Sequence, residues 1–111
     1  KLPAINLHLV DAGSPADEIG AIQDELGRRG IMFALLEGGG RLAGSFMDAG
    51  EIDQFLYIIT PKIAGDGLPS LAGTGVDAIR DAMVLRDVTT VMLKADLLYC
   101  GYRESRHIET F

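Results

Sequence analysis

The sequence predicts an α/β fold whose sheet is mixed, mostly parallel, and ends in an antiparallel hairpin. Three observations predict it. Two short β-type runs, Ala4-Ile5-Asn6-Leu7-His8-Leu9-Val10 and Ile31 to Leu36, enclose an amphipathic stretch of helical length, which is the order of a βαβ unit. The second of these runs is almost continuously apolar, as a strand is when both faces of its sheet are covered. Near the C-terminus, two β-rich runs follow one another with only a compact turn between them.

Each element has its own signals. After Asp11-Ala12-Gly13, Ser14 supplies an N-cap, Pro15 suits the first helical position, and Asp17 and Glu18 favour the positive end of the helix dipole. Ile19, Ile22 and Leu26, with Ala16, recur at three- and four-residue steps and mark one buried face. Arg28-Arg29-Gly30 is a stop, with cations in the last turn and then a residue able to take the left-handed conformation. A second helix is expected over about Arg41 to Ala49, with Leu42, Phe46 and Ala49 on one face and Gly50 closing it. Asp53 to Thr60 reads as another buried strand, ended by Pro61, so that a second βαβ unit shares the strand at Ile31 to Leu36. Residues 64–75 are rich in glycine around Pro69 and form a long loop of the kind that carries a site or an interface. Asp77 to Met83 allows a short helix or turn. Val84 to Lys94 alternates as a strand, Ala95-Asp96 makes the turn, and Leu97 to Tyr102 returns. The tail from Glu104 to Phe111 has no readable pattern.

The chemistry concentrates in Leu36-Glu37-Gly38-Gly39-Gly40-Arg41-Leu42-Ala43-Gly44-Ser45-Phe46. Here a strand-like run ends on an acid, turns through glycines and opens a helix. Such a loop lets backbone N–H groups approach an anion, with the dipole favouring negative charge. Arg41 opposes the dipole in the first turn, which makes it a candidate for an anion contact. A tight connection between elements would use the same glycines. A Rossmann-type dinucleotide site fits less well, because its ribose-binding acid should end the next strand, where Thr60-Pro61-Lys62 stands. His8, Asp53 and Lys62 read as structural or surface residues, Cys100 as a small packed one, and the methionines as core filler.

Composition narrows the classes. A net charge of −6 with no lysine/arginine cluster argues against a nucleic-acid partner. One cysteine allows no internal disulfide and suits a reducing compartment, and no apolar run reaches membrane-spanning length, so a cytoplasmic protein is expected. A hydrophobic fraction of 48% and a mean hydropathy of +0.21 suggest further surface buried against another subunit or the remainder of a domain.

The blocks Leu36 to Phe46, Ala49-Gly50-Glu51-Ile52-Asp53 and Leu56-Tyr57-Ile58-Ile59-Thr60-Pro61-Lys62-Ile63-Ala64-Gly65, together with the hairpin at Asp96-Leu97-Leu98, resemble the reductase domain of bacterial bifunctional riboflavin-biosynthesis deaminase-reductases. The resemblance runs over roughly Ile19 to Tyr102. It implies a dihydrofolate-reductase-like three-layer sandwich, of which residues 1–111 are the C-terminal part of one reductase domain, incomplete on its N-terminal side. It implies NADPH as hydride donor and a phosphoribosylamino-pyrimidine, 5-amino-6-(5-phosphoribosylamino)uracil, as the substrate whose ribosyl group becomes ribityl. Position by position, Glu37 matches the acid that contacts substrate, and Gly39, Gly40, Arg41, Leu42, Ala43, Gly44 and Ser45 match the segment that holds the NADP phosphates. No catalytic residue and no metal ligand is implied, and family members pair as dimers. The zinc-deaminase histidine/cysteine signature of the bifunctional proteins is not in this chain. The resemblance therefore implies half of a site. Two other readings stay open: a related pyrimidine or pterin oxidoreductase, and a non-catalytic, self-associating α/β module.

Overall fold

The computed structural model describes residue 10 and residues 13–104. The chain divides into two compact units, Lys1–Glu37 and Gly38–Phe111.

In the first unit, α1 (Pro15–Arg28) begins and ends where its signals place it. The Ser14 hydroxyl accepts from the Asp17 backbone N–H at 3.3 Å, with Asp17 and Glu18 in the first turn. Such a cap is worth about 0.5–2 kcal/mol. At the other end, Gly30 takes φ 70°, which lets its N–H bond the Gly27 carbonyl at 3.0 Å and the Ile31 N–H bond the Leu26 carbonyl at 3.0 Å. This Schellman closure satisfies carbonyls the helix leaves open. Glu25 pairs with Arg28 and Arg29 on the solvent side. Ile19 is buried, and Ile22 and Leu26 are half-buried, so the apolar face is the expected one.

Beyond Gly30 the expectation fails. Residues 31–37 form no strand, and Met32, Phe33 and Leu35 are 86%, 91% and 73% exposed. An apolar run reports a capacity to be buried. Becoming a strand also requires a neighbour whose N–H and C=O groups complete a ladder, and no described residue provides one here. The other strand of that unit, residues 4–10, falls outside the described residues but for Val10. His8 and His107 lie outside them too.

The second unit holds α2 (Gly40–Asp48), β1 (Gln54–Ile59), β2 (Leu85–Leu93) and β3 (Asp96–Arg103), with one turn of 3-10 helix at Ile79–Asp81. The strands form one sheet in the order β1-β3-β2, and both ladders are antiparallel. The mostly parallel sheet expected from the sequence is thus absent among the described residues. Its parallel neighbours were to be residues 4–10 and 31–36. Tyr57, Tyr99 and Thr90 stand in one cross-strand row, and Ile58, Leu98 and Val91 in the next, on the opposite face. Phe55 is buried on the first of these faces and stacks with Tyr57 at 6.2 Å between ring centroids.

The hairpin turn is Lys94-Ala95, one residue earlier than expected, and Asp96 pairs with Leu93 instead of turning. A two-residue loop matches the strand twist when its first residue has positive φ, and Lys94 takes 57°. A bulge between Arg86 and Thr89, with Asp87 at φ 49°, shifts the β2 register.

The face of α2 also differs from the expected one. Of the three expected residues, Phe46 is half-buried, but Leu42 is 44% exposed and Ala49 is exposed, whereas Gly44 is buried. Periodicity weighs side-chain volume, so it misses a face built from glycines. Gly50, at φ 72°, closes α2 by the same hydrogen-bond pattern that ends α1.

Candidate functional site

The glycine run ends at the N-terminus of α2, in the second unit. A helix leaves its first N–H groups without internal acceptors. In α2 those of Gly40, Arg41 and Leu42 are in this position, and the Ala43 N–H reaches the Gly39 carbonyl at 3.3 Å. The N-cap is Gly39, which brings no side chain to them, and the first turn contains no acid. The Arg41 side chain is exposed, and no carboxylate pairs with it among the described residues. Among the described residues nothing satisfies these N–H groups, and the helix dipole and the Arg41 charge both favour an anion at this end of α2. Those are the properties that hold a phosphate.

The predicted residues divide by role. Gly39, Gly40, Arg41 and Leu42 form the open turn. Gly44 faces inward, where a Cβ would stand 2.4 Å from the Gly73 nitrogen. The Ser45 hydroxyl donates to the Arg41 carbonyl at 3.0 Å, so its proton serves the helix. Ala43 is half-buried. Glu37 is the last residue of the first unit and is exposed.

Sequence reasoning missed Asp48. Its Oδ2 accepts from the Thr74 backbone N–H at 2.7 Å and ties the glycine-rich loop to the C-terminal end of α2. The spacing of Gly40, Gly44 and Asp48, four residues apart on one helix face, was the available signal. A shallow cleft of about 650 Å³ opens at that same end, lined among others by Met47, Asp48, Asp81 and Arg103. It contains none of the predicted site residues. No group of His, Cys, Asp and Glu among the described residues is placed to hold a metal ion, and no described helix is long and apolar enough to cross a membrane.

The family model described as the RibD C-terminal domain matches residues 18–99, a span that includes Glu37 and the whole α2 segment. The chain belongs to the RibD C-terminal domain family. A curated relative, the riboflavin biosynthesis protein RibD of Aquifex aeolicus (strain VF5), is 35% identical over 68 residues, covering 61% of this chain and 19% of the relative. Among solved structures, form 2 of Acinetobacter baumannii RibD superposes with a TM-score of 0.64 at 15% identity, over 75% of this chain and 24% of that one. At that identity the likeness shows the fold alone, and the fold is α/β. The chain thus spans about a fifth to a quarter of the RibD proteins it matches.

Proposed function

We propose that this chain is the NADPH-holding part of a riboflavin-pathway reductase that converts the ribosyl group of 5-amino-6-(5-phosphoribosylamino)uracil to ribityl. The observation that carries the proposal is the uncapped, acid-free first turn of α2, which lies within the RibD C-terminal domain match. When bound, NADPH supplies the hydride. The N–H groups of Gly40, Arg41 and Leu42 hold its pyrophosphate and the Arg41 guanidinium adds a charge-assisted contact. Gly39 admits the phosphate because nothing lies within 4 Å of where its Cβ would be. Ala43, Gly44 and Ser45 carry the turn beneath. Holding the donor fixed supports catalysis because hydride transfer needs reacting atoms about 3–3.5 Å apart. Glu37 binds the substrate through its carboxylate, which suits an amino or ribose hydroxyl donor.

NADPH titration of the full-length parent, followed by nicotinamide fluorescence, tests the proposal. We expect saturable binding, and the absence of any binding would remove the reductase reading. Glu37→Gln is expected to raise the KM for substrate while NADPH binds as before, and unchanged turnover would remove the substrate role of that acid.

We also propose that the protein is cytoplasmic, like other enzymes of small-molecule biosynthesis, and a homodimer. The dimer is supported by the apolar sheet: Leu56, Ile58 and Val91 share one face and are 52%, 63% and 51% exposed. Self-association without catalysis would use the same face, and the titration separates the two.

A further inference from the structure

The glycine-rich loop runs alongside α2 and touches it at successive turns of one face. The Gly40 carbonyl accepts from the Ala72 N–H at 2.9 Å. A Cβ on Gly40 would stand 2.2 Å from the Pro69 carbonyl oxygen, and one on Gly44 would stand 2.4 Å from the Gly73 nitrogen. At the far end, the Thr74 N–H donates to Asp48 Oδ2 at 2.7 Å. A Cβ on Gly73 would fall 2.6 Å from Asp48 Oδ1, so that glycine is what lets the carboxylate reach over. The three helix positions cover two turns, about 12 Å of axis. Over that length the loop follows the helix from its first turn toward its last.

We propose that Asp48 is a positioning residue for the nucleotide, acting through the loop at residues 69–74. The inference rests on the reading of the α2 N-terminus as the NADPH phosphate site. Gly40 belongs both to that turn and to the seat of Pro69, so the loop forms a wall beside the open amides. Asp48 touches no nucleotide. It fixes the C-terminal end of the wall through one charge-assisted hydrogen bond, so that the bound ligand need not order it.

Three variants of the full-length protein test this by NADPH titration and by amide hydrogen exchange at Ala72 and Thr74. Asp48→Ala removes the acceptor, Gly73→Ala pushes the carboxylate away, and Asp48→Asn keeps an oxygen that can accept. The expected result is that NADPH affinity falls at least about three-fold in the first two and stays within about two-fold in the third, with faster exchange at both amides in the first two only. Faster exchange with unchanged NADPH affinity would overturn the proposal, since the clamp would then be structural alone. Unchanged exchange in Asp48→Ala would overturn it at the clamp. If the wild type binds no NADPH, the proposed function fails and the positioning role fails with it, whereas the exchange data still report whether Asp48 holds the loop.

Discussion

At Gly44 a methyl group would meet the Gly73 nitrogen at 2.4 Å and the Ala72 carbonyl carbon at 2.5 Å, and both are backbone atoms that move only by shifting the loop. Gly44→Ala should therefore cost about 1–3 kcal/mol in urea unfolding. Gly20→Ala, in α1 with open space around the new Cβ, should stabilise by up to about 1 kcal/mol. Equal stability of Gly44→Ala and wild type would mean that the loop is not seated on the helix. Ser45 stands one position on, and its hydroxyl serves the Arg41 carbonyl. Ser45→Ala should leave NADPH affinity within about two-fold, under about 0.5 kcal/mol. A ten-fold loss would show that the hydroxyl contacts the nucleotide.

Elements whose signals are local were legible in the sequence. Ser14, Pro15, Asp17 and the Gly30 stop set α1 to the residue, because caps and left-handed closures act within one turn of chain. The segment at 31–36 was not, since its composition describes a strand and a ladder is a property of two segments. The candidate site at α2 was half legible. The glycine turn stands out in sequence, while the seat of the loop depends on residues 69–74 meeting positions 40, 44 and 48 across the chain. The hairpin shows the same limit at smaller range, with the turn displaced by one residue onto Lys94. A lysine at φ 57° carries a strain that glycine avoids, so Lys94→Gly should raise stability by about 0.5–1 kcal/mol in equilibrium unfolding. A loss of stability would show that the lysine side chain contributes more than its backbone costs.

At the scale of the molecule, the sheet is apolar on both faces and much of it is left uncovered by this chain: Ile59 and Met92 on one face, Ile58 and Val91 on the other, are each more than half exposed. Surface of that kind usually marks an interface. The proposed homodimer is tested by sedimentation of the full-length protein: wild type should run as a dimer and Ile58→Lys toward monomer with the near-UV spectrum retained. A persisting dimer would place the interface elsewhere, and a monomeric wild type would overturn the proposal. Gly39→Asp tests most directly whether the open turn of α2 holds the phosphate. Gly39 has φ −72° and nothing within 4 Å of a new Cβ, so an aspartate fits and can cap the free N–H groups itself. NADPH titration of the full-length variant against wild type is the measurement. We predict a higher unfolding temperature together with NADPH binding weakened about ten-fold or more, about 1.4 kcal/mol. Binding as tight as that of the wild type would contradict the assignment of the phosphate to this turn.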